Sequence, residues 1–480
     1  MIDQIKSLEQ EARILEPPPH NRLAWQRKVE DYAFDFIDKM DERKTYVASE
    51  SNGKALLEYD FSDTPRSIDE VLKILKENVD TPGLNPASGG HLAYIPGGGL
   101  FPTALGDYLA AITNRYAGIF FGGPGAVRLE NMLIKWMCSV MGYPSTASGN
   151  LASGGSIGNL IAIVTARDFK KIEPEEISNS VIYLTSQVHH CVQKAIRIAG
   201  LNSAKTTYIP VDHQFRMDVN VLRQQIKADL KAGKKPFLLI GSAGTTDVGA
   251  IDPLEELADT AEEFNLWFHV DAAYGGFFVL TGDGKEKMKG IERSDSVVID
   301  PHKGLFLSYG LGAVLIKNVK AQQDAHYYQA NYMQDALQNT EEISPADLSP
   351  ELTKHFRGLR LWLPLQLYGL APFRAGLEEK LLLTRYFYEK VQELGFEVGP
   401  YPELSVMIYR YVPKGGDPNE FNAKLIQYVH QDGRVFLSST TLDGNFWIRL
   451  AVLAFRTHLH TIDLCLQVLK EGVEKLKVKN

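Results

Sequence analysis

Between Ser180 and Lys317 short apolar runs recur, each closed by a glycine, a proline or a polar break. Helical spacing fills the intervals, as in SQVHHCVQKAIRIAG and PLEELADTAEEFN. This alternation constrains the chain most, because strands separated by helices build a mostly parallel sheet with helices on its faces. The runs are VIYLT, FLLIGSAGTTDVGA, LWFHVDAAYGG and SVVIDPHKG, and GAVLIK adds a further strand-like stretch. Val297, Val298 and Ile299 show no polar alternation, the pattern of a strand covered on both faces. Asp300-Pro301 ends that strand, since proline brings no ladder donor. Lys303 follows at once, at the carboxyl end of a buried strand, where open α/β sheets bind ligands. Desolvation there is expected to lower its pKa, which suits an amine that must attack a carbonyl.

At 480 residues the chain exceeds what a single core usually supports. The expected division is an N-terminal helical segment (1–84), a large α/β domain (85–368) and a small C-terminal α+β domain (369–480). In the first, Trp25, Val29, Tyr32, Phe36 and Met40 recur at helical spacing, and SIDEVLKILKENV opens with a Ser67/Glu70 capping pair. Such an arm can pack on its own body or on another subunit. In the third, Arg449 and Arg456 read as structural or exposed rather than as site residues. A net charge of −8 without a basic stripe makes nucleic acid an unexpected partner. Three widely spaced cysteines argue against a disulfide framework or a zinc site and for a reducing compartment. The charged N-terminus lacks a secretory apolar core, and no run has membrane-spanning length. A cytoplasmic location without membrane partners is therefore expected.

Three further features carry chemistry. From Asn85 the chain is rich in glycine and aromatics, in NPASGGHLAYIPGGGLFP and YAGIFFGGPGA. These segments read equally well as packed loops or as a substrate-pocket wall of Tyr94, Pro96, Phe120 and Phe121, with Ile95 beside them. In GNLASGGSIGNLIAIVTARDFKK glycines precede a helix expected to start near Ser156 or Ile157, an arrangement that cradles an anion. It is neither a dinucleotide fingerprint nor a P-loop, which counts against a nucleotide-binding α/β protein. Asp271 follows a buried run and must pair with a cation or accept a strong donor. Small residues after it leave room for a flat ring, and His189 lies just beyond another strand. One ligand uses all of these: a flat heteroaromatic aldehyde bearing a phosphate, pyridoxal 5'-phosphate (PLP). Lys303 would join the aldehyde and Asp271 would keep the pyridine nitrogen protonated. His189 would stack on one ring face with Ala273 under the other, and Gly155 and Ser156 would hold the phosphate.

From about Leu23 to Thr457 the chain resembles the group II PLP-dependent amino-acid decarboxylases, closest to the aromatic-L-amino-acid members. HLAYIPG, SGGSIGNLIAIVTAR, SQVHHCVQKA, AGTTDVGAIDPL, HVDAAYGG, DPHKG, NYMQD and FRGLRLW carry the likeness, HVDAAYGG with DPHKG most specifically. The resemblance implies PLP fold type I, resembling aspartate aminotransferase, and a homodimer whose sites are completed by the neighbouring subunit. It implies Thr246 beside the cofactor, and Asp300 and His302 near the phosphate. The aromatic members have asparagine where this chain has Asp300, so Asp300 is also read as orienting His302 or the turn. Tyr332 falls where the family has a loop tyrosine that protonates the substrate carbon, and the polar stretch 324–349 reads as a lid. The implied reaction is decarboxylation of an L-amino acid, aromatic by the Tyr94, Phe120 and Phe121 slot, to an amine and carbon dioxide. An aldehyde synthase, a carbon–carbon lyase or a decarboxylase of an acidic amino acid such as glutamate would share the cofactor residues.

Overall fold

The computed structural model describes residues 1–328 and 341–478. Its central sheet has seven strands in the spatial order Ser148–Ala152, Gly312–Ile316, Ser296–Ile299, Trp267–Asp271, Lys235–Ser242, Ser180–Leu184 and Lys205–Tyr208. Gly312–Ile316 runs antiparallel to both of its neighbours, and the remaining pairs are parallel. This is the mostly parallel α/β sheet of PLP fold type I.

Alternation along each strand explains how helices come to lie on both faces. Val181 and Tyr183 point into one apolar cluster, Ile182 and Leu184 into the other. Val297 and Ile299 likewise oppose Val298. The parallel strands end on one edge, so Ser242, Asp271 and Asp300 gather there, and the turn after Leu184 brings His189 to the same edge. The helix Gly155–Phe169 starts beside them and packs against the strands Ser296–Ile299 and Gly312–Ile316. Its first residue is Gly155, one earlier than expected, an ordinary difference for a helix end.

A second, antiparallel sheet of Phe396–Val398, Val406–Tyr411, Asn445–Ala451 and Ser438–Leu442 has its own apolar core. The helices Ala371–Glu393, Pro418–Asp432 and Leu459–Val478 supply the other side of that core. At the opposite end of the chain, Ile2–Ala12 and Pro19–Asp38 are helices without a buried residue. Helix Ile68–Leu75 opens with the expected capping box: Ser67 accepts from the Glu70 N–H, and Glu70 accepts from the Ser67 N–H. Among the described residues no helix is long and apolar enough to cross a membrane.

Candidate active site

A cavity of about 330 Å³ opens at the carboxyl edge of the large sheet. Lys303, Asp271, Ala273, His189, Gly155, Ser156, Thr246, His302 and Asp300 all line it. Each arrives by a different local cause. Asp271 is the last residue of a fully buried strand. Lys303 sits in the single helical turn Pro301–Gly304, where Pro301 at the first position forces the chain to turn after Asp300. His189 caps the helix His190–Ile198, its Nδ1 accepting from the Cys191 N–H at 3.3 Å.

The Asp271 carboxylate accepts from both sides. Oδ1 takes the Ala273 N–H at 3.1 Å and Oδ2 takes the Asn159 side-chain amide at 3.1 Å. The other end is less complete. Asp300, 1% exposed, lies 3.2 Å through Oδ2 from the Lys303 ammonium and 3.8 Å from His302 Nε2. Its Oδ1 has no hydrogen-bond partner among the described residues. His302 Nδ1 lies 2.6 Å from the Leu311 carbonyl, to which it can only donate.

Lys303 departs from expectation. Burial pulls its pKa down, but the Asp300 and Asp271 carboxylates outweigh it, and the amine is held above its ordinary range. Desolvation alone would lower it; the carboxylate three residues earlier, Asp300, reverses the sign. Burial, then the neighbouring His190 charge, lowers the pKa of His189, which favours the neutral ring suited to lie against a flat ligand. His302 is lowered chiefly by burial.

Four expected pocket-wall residues lie elsewhere in the single chain. Tyr94 is 59% exposed and packs on His91 and Phe436 at ring-centroid distances of 6.1 and 5.8 Å. Pro96 is buried in the adjoining loop. Phe120 is buried beneath the Arg128 guanidinium, 5.0 Å from its ring, while Phe121 is exposed. None of the four lines the cavity. Their loop nevertheless touches the Lys303 turn: a Cβ on Gly97 would stand 2.2 Å from the His302 carbonyl oxygen. Tyr94 and Ile95 both hold positive φ, +51° and +56°, which is costly for two successive side-chain-bearing residues. Tyr332 lies outside the described residues, as do residues 329–340 of the stretch read as a lid.

Several cavity residues were not singled out from sequence, among them Gln187, Cys191, Tyr274 and Tyr309. Arg449 is a further addition: 4% exposed, it donates to the Thr246 carbonyl, to the Asp247 carbonyl at 3.0 Å and to Ser438 Oγ at 2.8 Å. It thus ties the small sheet to the loop that presents Thr246. Of the two readings open to it, structural or exposed, it is structural.

The cavity fits a phosphorylated pyridine aldehyde. Among the described residues no side chain caps the first amides of helix Gly155–Phe169, which suits them to an anion. A side chain at Gly155 would crowd Ala273 Cβ at 3.1 Å and Asp300 Oδ2 at 3.2 Å, so only glycine keeps the space open. An amine and a buried carboxylate complete the donor set.

Comparison with known proteins agrees with this chemistry. Residues 51–412 match the pyridoxal-dependent decarboxylase conserved domain. The chain belongs to this family. It is 33% identical over 457 residues to an aromatic-L-amino-acid decarboxylase of Bacillus atrophaeus, covering 92% of this chain and 94% of that one. It is 30% identical to a phenylacetaldehyde synthase of Petunia hybrida, covering 85% of each. The crystal structure of Oryza sativa TDC with PLP and tryptamine superposes with a TM-score of 0.90 over 96% of this chain and 99% of that chain, at 22% identity. The fold is shared with it. The protein is a PLP-dependent carboxy-lyase, and its cofactor is pyridoxal 5'-phosphate.

When bound, the cofactor supplies a protonated ring that takes up the electron pair freed by loss of a carboxylate. In this chain Lys303 would offer the amine, on which the Asp300 carboxylate, 3.2 Å away, holds a proton. The Asn159 and Ala273 donors fix Asp271 so that its remaining lone pairs are left for the ligand. The Arg449 grip on the loop carbonyls sets Thr246 against the cavity.

Proposed function

We propose that this enzyme decarboxylates an aromatic L-amino acid, releasing the corresponding amine. The observation that carries the reading is the 33% identity to an aromatic-L-amino-acid decarboxylase along nearly the full length of both chains. Relatives described as tyrosine and tryptophan decarboxylases, at 26–28% identity, support the same substrate class. In this reading Lys303 carries the cofactor and Asp271 holds the ring-nitrogen proton. His189 and Ala273 sandwich the ring, and Gly155, Ser156 and His302 receive the phosphate. Thr246 and Asp300 flank the ring and the lysine. Tyr332 Oη returns a proton to the substrate carbon after carbon dioxide leaves.

Two subunits are proposed to form the working unit. Tyr94 and Phe121 are exposed in the single chain, and the partner copy would bring such aromatics to the cavity mouth. Light scattering that gives only a monomer mass for active enzyme would remove this part of the reading.

A second reading is favoured by the petunia relative: oxidative conversion to an aldehyde. The tyrosine at position 332 supports the amine outcome. Purified enzyme incubated with a panel of L-amino acids should release carbon dioxide and amine from the aromatic ones. Release only from acidic substrates overturns the substrate class, and aldehyde with peroxide in place of amine selects the alternative.

A further inference from the structure

Behind Asp271, away from the cavity, a line of fully buried polar groups crosses the sheet. Trp267 Nε1 donates to Ser296 Oγ at 2.9 Å, and Ser296 Oγ lies 2.8 Å from His269 Nδ1. His269 Nε2 lies 2.8 Å from Asn159 Oδ1, and Asn159 Nδ2 reaches Asp271 Oδ2 at 3.1 Å. Trp267, His269, Ser296 and Asn159 are each no more than 1% exposed. Unpaired polar atoms at such depth are expensive, so every link must be made.

The direction of every hydrogen bond follows from the partners. Asn159 also donates to the Gly155 carbonyl at 2.9 Å, and a carbonyl only accepts, so the side-chain NH₂ faces Gly155 and Asp271. The Asn159 oxygen therefore faces His269, and His269 Nε2 must carry the hydrogen. Burial drives the His269 pKa down to about 4, so the ring keeps one proton and Nδ1 is bare. Nδ1 then accepts from the Ser296 hydroxyl. From the far end, the indole N–H can only donate to that same hydroxyl oxygen. Both ends demand the same orientation.

We infer that Trp267, Ser296, His269 and Asn159 form a one-way donor chain that ends on Asp271 and holds it as the acceptor for the cofactor's ring nitrogen. Asn159 is the positioning residue of this chain. The inference rests on the proposed role of Asp271. Dipoles aligned head to tail strengthen one another in a low-dielectric interior, so a change at the serine is felt at the carboxylate.

The test compares equilibrium affinities of the full-length apoenzyme for PLP and for its carbocyclic analogue, with CH in place of the ring nitrogen. Asn159→Asp keeps the shape but presents an acceptor to Asp271. Its preference for PLP over the analogue should fall on the order of tenfold, the usual scale for removing an outer supporting bond. Ser296→Ala, a smaller change at the distant end, should lower the same ratio by less. Thermal unfolding of each apo variant checks that it is folded, and if N159D is not, S296A alone decides. Equal losses for both ligands would mean a merely structural role and overturn the inference, as would an unchanged ratio in S296A. Wild-type apoenzyme that binds the two ligands equally defeats the proposed role of Asp271 itself.

Discussion

The cavity has two unlike ends. Around Asp271 both carboxylate oxygens already have protein donors, and the supporting amide is held in turn by His269. Around Asp300 one oxygen has no hydrogen-bond partner among the described residues, and the other faces both the Lys303 ammonium and His302 Nε2. The first end is built in advance by the sheet. The second lies on a single helical turn and leaves its charges to be completed by what binds there. The fully donated carboxylate therefore sits at the strand end, and the Lys303 amine sits on the single helical turn after the neighbouring strand. That division suits a group that must exchange its bonding partner while a neighbouring proton stays in place.

Substitutions at the two ends should separate these roles. Lys303→Ala should abolish carbon dioxide release and the borohydride-sensitive visible band of the holoenzyme; retention of either puts the amine elsewhere. Asp271→Asn should retain cofactor but lose about a hundredfold or more in kcat, the scale of a misplaced proton in the reacting system. A change confined to KM would deny the Asp271 end its electrostatic role.

Stability should report the buried histidines, one at the Asp271 end and one outside the cavity. Burial holds both His269 and His91 near pKa 4, against about 6.5 in an unfolded chain. Between those values the unfolded state binds more protons, so stability falls as pH drops from 6.5 towards 4. Each ring contributes roughly 3 kcal/mol to that fall. Asp252, raised to about 6 by burial, acts in the opposite sense across an overlapping window. Urea titrations should show the decline, flattened in His91→Gln; an equal slope in that variant would contradict it. The smallest effect is expected from Asp300→Asn. Removing the carboxylate beside Lys303 takes away what holds its proton, so the pH midpoint for cofactor capture should move down. An unmoved midpoint would make the two ends more alike than the geometry indicates.

Much of this was legible in the residues. Apolar runs marked five strands of the large sheet, and the ends of two of them marked Asp271 and Lys303. Ser148–Ala152 escaped notice because SGNLA looks like a loop. Gly149 is needed there, since a Cβ would stand 1.9 Å from the Val314 carbonyl oxygen. The weakly apolar strand Lys205–Tyr208 and the helix Val219–Lys231 also went unremarked. The His269–Asn159 link was hidden for another reason. Pairing a histidine on one strand with an asparagine on a helix 110 residues earlier is a product of sheet order, which no local pattern states. A polar residue inside an otherwise apolar run was the one available sign.

Strand order has a last consequence for how the molecule is made. Ser148 pairs with Ile316 and, among the described residues, has no other strand beside it in the sheet. The segment that leads into the anion cradle must therefore wait, during translation, until the ribosome has passed Ile316. Nascent chains stopped short of that point would lack the strand that pairs with Ser148–Ala152. The strand ahead of the Gly155 helix is thus among the later parts of the large sheet to pair.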